Sequence, residues 1–364
     1  MHPGDLLVTT FVNLLELEAL AKPRLPPAVF DYFAGGAHDE ITLGANRQAY
    51  DAIALRPRVL VDVSRRDLST TLLGQRLAFP VLVAPMALQR MAHTDGEMAT
   101  ARAASSLETV FTVSTLSSVT VEEIRSACAL APWFQIYVHQ DRALTEGMLA
   151  RVAACGYGAL VLTVDTPVLG RRERDVRNTF QPPPGVAFAN MMAGKDTTGS
   201  SERDSALAMY FAARHDASVT WKDLAWLRRV CPLPLVLKGV MRRDDAKRAA
   251  DHGVDALIVS NHGGRQLDTA IPTIRALGEV VEGAGSNVPV LVDGGVRRGT
   301  DVLKAIALGA RAALVGRPVL WGLALDGEAG VARVLTTLRD ELDTAMALCG
   351  CATLSDIGRD LVAT

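Results

Sequence analysis

The stretch Ala256-Leu257-Ile258-Val259-Ser260-Asn261-His262-Gly263-Gly264-Arg265-Gln266-Leu267-Asp268 decides how this chain is read. It opens on a short apolar run that reads as a buried strand. Directly after the run come a histidine, two glycines and an arginine within four residues. A histidine takes a proton near neutral pH, and an arginine clamps a carboxylate through two parallel hydrogen bonds. Glycines let the backbone turn sharply and approach a flat ligand closely. The alternative is an ordinary strand-to-helix loop with a satisfied histidine, and the rest of the chain has to separate the two.

Outward from that stretch the same grammar repeats. Apolar, β-branched runs stand at 80–86, 109–115, 133–138, 159–165, 233–239, 256–260, 289–294 and 312–316. Helix-like stretches lie between them at 95–106, 121–128, 143–155, 219–230, 244–252 and 300–308. Strands apolar throughout, each followed by a helix, imply a parallel sheet covered on its outer face. Eight such units close a (β/α)8 TIM barrel. An open doubly wound sheet is the competitor, but no GxGxxG follows the first run. The expectation is one α/β domain: an N-terminal extension at 1–79, the barrel at 80–325 and a C-terminal helical region at 326–364. The extension reads as two short helices around 22–27, the second carrying Asp31-Tyr32-Phe33-Ala34-Gly35-Gly36, then extended pieces at 55–60 and 68–71.

Most strand starts lie roughly 23 to 33 residues apart, the size of one βα unit. The interval from Ala159 to Leu233 is much longer and implies an insertion at about 178–218, after the fourth strand. It carries Pro182-Pro183-Pro184-Gly185 and the polar tract Gly194-Lys195-Asp196-Thr197-Thr198-Gly199-Ser200-Ser201. Loops of that length serve as lids or binding loops, or are surface excursions with no role.

Composition bounds the partners. The chain has 364 residues, 49% hydrophobic and 21% charged, with a formal net charge of −2, so neither nucleic acid nor an anionic membrane is expected as partner. Five cysteines form no CxxC pair and no Cys/His spacing, which argues for reduced thiols and against a metal site. No run approaches membrane-spanning length and no signal-peptide pattern opens the chain, so a cytoplasmic location is expected.

Chemistry in such barrels sits at the carboxyl ends of the strands. There the sequence places Pro85-Met86-Ala87, Ser114, Gln135, Tyr137, Thr163, Asp165, Lys238, Ser260, His262, Asp293-Gly294-Gly295, Arg297, Gly316 and Arg317. Glycine turns after the seventh and eighth strands, each with an arginine, suit a phosphate, although glycines also simply permit tight turns. Lys238 is placed to stabilise negative charge on a reduced heterocycle, or else to pair with Asp293. His262 and Asp165 form a candidate base with an orienting carboxylate. Arg172 and Arg265 are candidate clamps for a substrate carboxylate, with Tyr137 and Tyr32 beside them, although a tyrosine in an amphipathic N-terminal helix, as Tyr32 is, is more often core than catalytic.

The motif at 260–268, with Leu-Thr-Val-Asp-Thr-Pro at 162–167 and Gly-Arg-Arg at 170–172, resembles the FMN-dependent 2-hydroxy acid oxidases and dehydrogenases. The resemblance runs from about Val29 to the helix after the eighth strand. It implies FMN bound by Pro85, Met86, Ala87, Ser114, Gln135, Thr163, Lys238, Ser260, Asp293, Gly294, Gly295, Arg297, Gly316 and Arg317. It implies His262 as base with Asp165, Tyr137 and Arg265 in the catalytic group, and Tyr32, Tyr137, Arg172, His262 and Arg265 around the substrate. The implied reaction oxidises an (S)-2-hydroxy acid to the 2-keto acid, with oxygen or another electron acceptor. A homo-tetramer is implied by the same analogy. Leu116 replaces the bulky tryptophan of glycolate oxidase and Met86 its threonine. With Leu169 these changes point to an aryl substrate such as mandelate or 4-hydroxymandelate, against an aliphatic one such as lactate or glycolate.

Overall fold

The eight apolar runs form eight parallel strands in a computed structural model that describes residues 11–190, 211 and 213–363. They are β1 (Val81–Val83), β2 (Thr112–Ser114), β3 (Trp133–Ile136), β4 (Ala159–Thr163), β5 (Leu235–Lys238), β6 (Ala256–Val259), β7 (Val290–Val292) and β8 (Ala312–Val315). From β2 to β8 each strand pairs with the next, and β8 pairs with β1. A single bridge between Val83 and Phe111 brings β1 against β2 and rounds off the cylinder. The expected (β/α)8 TIM barrel is the fold.

Every strand residue is buried because each face of the sheet packs on something. Leu82, Trp133, Val161, Val236, Ile258, Leu291 and Leu314 point inward and fill the barrel. Their neighbours Val83, Phe134, Leu160, Leu257 and Val259 point outward to the helices. Residue alternation therefore separates two cores, and the few polar strand residues, such as Ser114, Gln135, Thr163 and Lys238, stand at or near the carboxyl ends and do not alternate along a strand. A hairpin of Thr70–Leu72 and Gln75–Leu77 places Leu72 and Leu77 in the inner core as a plug.

The N-terminal extension holds three α-helices rather than two: α1 (Leu17–Ala21), α2 (Pro27–Ala34) and α3 (Ile41–Asp51), with a 3₁₀ turn at Lys22–Arg24. The sequence hid α3 because its buried side includes the polar Thr42 and Asn46, so no apolar stripe marks it. Asn46 instead exchanges two amide hydrogen bonds of 2.9 Å with Asn261 of the β6 loop. Asp268 accepts from the Thr42 backbone N–H at 2.9 Å and so holds the first turn of α3. Of the extended pieces expected at 55–60 and 68–71, strand covers only Ala54–Leu55 and Thr70–Leu72.

The barrel helices are α4 (Glu97–Ser106), α5 (Val121–Ser126), α6 (Arg142–Ala154), α7 (Glu173–Arg177), α8 (Asp223–Val230), α9 (Arg243–Asp251), α10 (Thr273–Ala284), α11 (Gly299–Ala307) and α12 (Arg317–Leu348). The tract at 194–201 lies outside the described residues. No helix among the described residues is long and apolar enough to cross a membrane. α12 bends at Asp326-Gly327, where the backbone leaves helical geometry, and its two arms touch at Gly322 and Gly330. A Cβ at Gly330 would collide with the Gly322 carbonyl. Gly330→Ala should therefore cost about 1–3 kcal/mol by overpacking, read as a lowered urea midpoint with unchanged slope; an unchanged midpoint would show that the contact has slack.

Candidate active site

The site is built where β1–β8 end. The β6 loop runs through three consecutive left-handed residues, His262 (φ 58°), Gly263 (φ 64°) and Gly264 (φ 76°). Glycine is required at the last two. A Cβ at Gly263 would lie 2.8 Å from the Arg317 guanidinium, and one at Gly264 would lie 2.7 Å from the Leu43 backbone nitrogen. The loop thus wedges against both α3 and the start of α12, and it turns the His262 ring toward the barrel axis.

His262 Nδ1 lies 2.8 Å from Asp165 Oδ1, and its Nε2 lies 3.4 Å from the Tyr137 hydroxyl. The Thr166 hydroxyl donates to the same Asp165 oxygen at 2.8 Å. Burial drives the His262 pKa down to about 4, more than offsetting the pull of Asp165 in the other direction. Burial also pushes Asp165 upward, but the His262 and Lys238 charges win and leave it at about 2. At neutral pH the pair is a neutral imidazole on an ionised carboxylate, with Nε2 free to accept a proton.

Lys238 Nζ donates to Ser260 Oγ at 3.0 Å and lies 3.6 Å from Asp293 Oδ2, which in turn accepts from Ser260 at 2.8 Å. Lys238 thus pairs with Asp293, as one of its two readings expected, and it also lines the cavity. Asp293 Oδ1 is buried without a hydrogen-bond partner among the described residues. Gln135 donates to Thr163 Oγ1 at 3.0 Å, linking β3 to β4 across the cavity floor.

Arg297 and Arg317 have no carboxylate within ion-pair distance among the described residues; they donate to backbone carbonyls instead. Burial lowers the pKa of both. Gly294 and Gly295 stand at φ 88° and 87°, and a Cβ at Gly295 would strike the Asn46 carbonyl. Gly316, by contrast, has an ordinary negative φ, so tight-turn geometry does not require it.

One cavity of about 1030 Å³ of empty volume is lined by every residue the sequence singled out for cofactor or substrate except Asp165, Ser260 and Leu169. Asp165 and Ser260 stand behind His262 and Lys238 and hold them, whereas Leu169 packs against the hydrophobic core. Several apolar lining residues escaped the sequence reading, Phe33 and Phe211 among them. Phe33 offers its carbonyl to Arg317 at 3.0 Å, and Phe211 packs edge-on against Tyr137 at 5.1 Å. Neither side chain carries a polar signal that sequence reasoning could follow. The Gly35 carbonyl was equally hidden, although it accepts from Arg265 at 2.8 Å and from Arg317 at 2.9 Å.

A (β/α)8 barrel that joins unpaired arginines after β7 and β8 to an Asp–His pair in one cavity is built as a cofactor-binding enzyme. The chain belongs to the FMN-dependent dehydrogenase family, whose pattern it matches over residues 21–364. It is 52% identical to an L-lactate oxidase of Nostoc sp., over 96% of this chain and 97% of the relative. It is 47% identical to the glycolate oxidase of Spinacia oleracea, over 96% and 95%. The crystal structure of mandelate oxidase with (S)-4-hydroxymandelic acid superposes with a TM-score of 0.93 at 43% identity, covering 97% of this chain and 98% of that one.

The residues present fit FMN. The two arginines lack an anion, and the Asp293 oxygen lacks a donor such as a ribityl hydroxyl. Arg317→Met should raise the FMN dissociation constant at least tenfold, or about 1.4 kcal/mol, measured by flavin fluorescence after dilution. Retention as tight as in the parent would remove Arg317 from the phosphate site.

Proposed function

We propose that this chain oxidises an (S)-2-hydroxy acid with an apolar substituent to the 2-keto acid, with molecular oxygen as acceptor and hydrogen peroxide as the second product. The carrying observation is the neutral His262 ring, fixed by Asp165 at 2.8 Å, in the same cavity as Arg172 and Arg265. FMN, when bound, supplies the acceptor for the two electrons that leave the substrate. Arg297 and Arg317 would hold its phosphate, Lys238 would sit by its pyrimidine edge, and Ser114, Gln135 and Thr163 would hydrogen-bond the uncharged remainder.

The protein's own part is to bind, orient and take a proton. Arg172 and Arg265 fix the substrate carboxylate, and a fixed carboxylate leaves C2 only one way to face the ring nitrogen. His262 Nε2 accepts the proton released in the reaction while Asp165 stabilises the imidazolium that results. The Tyr137 hydroxyl, already 3.4 Å from Nε2, orients the reacting oxygen.

For the substituent, the wall formed by Leu116, Met86 and Phe211 supports an apolar group over the bare hydrogen of glycolate. Leu116 and the likeness to mandelate oxidase support an aryl ring, as in mandelate or 4-hydroxymandelate. Phe211 supports a second reading, because its ring takes wall space beside Tyr137 and the likeness to L-lactate oxidase extends over nearly the whole chain. Anaerobic flavin reduction over (S)-mandelate, (S)-4-hydroxymandelate, L-lactate and glycolate separates them: mandelates fastest for the first, lactate fastest for the second. Glycolate fastest would sink the apolar wall as the determinant.

His262→Ala should keep FMN but slow substrate bleaching of the flavin by roughly 10²–10⁴-fold. In the parent, kcat/KM should stay level from neutral pH down to about 5. It should fall only as His262 protonates near its lowered value of about 4. Bleaching of the variant at the parental rate would refute the base assignment.

A further inference from the structure

Tyr32 is held as the middle layer of a stack whose outer layers come from two different loops. Its ring lies 4.3 Å from the Phe180 ring at an interplanar angle of 10°, and the Arg265 guanidinium lies over it at 5.3 Å. Burial raises the pKa of its hydroxyl, and the nearby Arg265 and Arg172 charges oppose that rise. Tyr32 thus contacts Arg265 and Phe180 and feels the charge of Arg172, with which it lines the same cavity. Phe180 and Tyr32 are 1% and 4% exposed, so this is a dry stack in which ring contacts count fully.

The stack answers a charge problem. Arg172 and Arg265 disfavour each other's charge, and burial with that repulsion lowers Arg265 to about 10. Two repelling cations on long side chains would splay unless something set their positions before an anion arrived. Arg265 has one short anchor, the Gly35 carbonyl at 2.8 Å, while Arg172 has only marginal contacts of 3.5 Å to the β6 loop. The Tyr32 ring supplies Arg265 with a second seat and lines the cavity beside Arg172. Phe180 stacks on that ring. Its own position is set by its backbone N–H, which donates at 2.9 Å to the carbonyl of Asp175 on α7, the helix that Arg172 caps.

We infer that Phe180 is a positioning residue for the substrate carboxylate: by stacking on Tyr32 it preorganises Arg172 and Arg265 as one clamp. Phe180 does not line the cavity, so its effect passes through Tyr32. The inference rests on the proposed function only in taking the two arginines as the carboxylate site.

The test uses the holoenzyme and oxalate, a carboxylate that cannot be oxidised at C2, with binding read from the flavin absorbance change. Phe180→Met keeps apolar bulk without a ring, and Phe180→Leu serves as the second variant. Both should raise the oxalate Kd about three- to tenfold, the worth of an aromatic contact. FMN should stay bound, and the limiting rate of flavin reduction at saturating substrate should stay within about twofold. A purely space-filling role predicts that Met restores binding while Leu does not, and that result overturns the inference. So does a loss confined to the limiting rate, or an unchanged Kd in both variants. Arg265→Lys keeps the two ideas apart, because it should weaken oxalate through loss of the bidentate contact. Unchanged binding in that variant would remove the clamp itself, whereas weakened binding there with a parental Kd in Phe180→Met would remove only Phe180.

Discussion

The hydrogen bond between Asp165 and His262 joins the ends of two strands that are not neighbours, and the rest of the site is arranged to permit it. β5 lies between β4 and β6, so its last residue has to leave the gap open. Gly239 does so: its backbone is left-handed at φ 114°, and a Cβ there would lie 2.7 Å from the Asp165 side chain. Lys238, one residue earlier, points into the cavity and helps keep Asp165 ionised. One strand end thus supplies both the room and the charge on which the Asp–His pair depends.

The same cavity concentrates cations. Lys238, Arg172, Arg265, Arg297 and Arg317 all line it, and the partners available to them are largely carbonyls. Burying several cations is costly unless anions arrive. Under the proposed function, a phosphate at one end and a carboxylate at the other would provide them in a way that also fixes orientation. Substrate and cofactor are, in that sense, part of the site's charge balance, and the protein holds its arginines ready through carbonyls from the N-terminal extension. That role explains why the short helices before the barrel belong to the site. Gly35, at the end of α2, joins Arg265 to Arg317.

Legibility in the sequence followed polarity. The strands could be read because both faces are apolar. His262, Asp165, Arg172, Arg265 and Lys238 stood out because charged residues at strand ends have few structural reasons to be there. α3 was missed because it buries an asparagine and a threonine, whose value lies in partners more than 200 positions away, Asn261 and Ala270. Phe211 and Phe180 were missed because a phenylalanine near a site looks like any core phenylalanine until its ring plane is known. Backbone carbonyls such as those of Phe33 and Gly35 carry no residue-type signal at all. The tract at 194–201, expected as a lid, a binding loop or a surface excursion, falls outside the described residues.

The central claim, that Asp165 makes His262 a working base, is tested most directly by Asp165→Asn. The amide is nearly isosteric with the carboxylate but cannot stabilise an imidazolium, so substrate and FMN can still bind while the proton has no stable place to go. Anaerobic flavin bleaching by saturating substrate should slow by roughly 10²-fold or more, with FMN content and oxalate affinity close to the parent. Bleaching within about threefold of the parental rate would mean that the carboxylate only holds the ring in place, and the account of proton transfer at this site would be wrong.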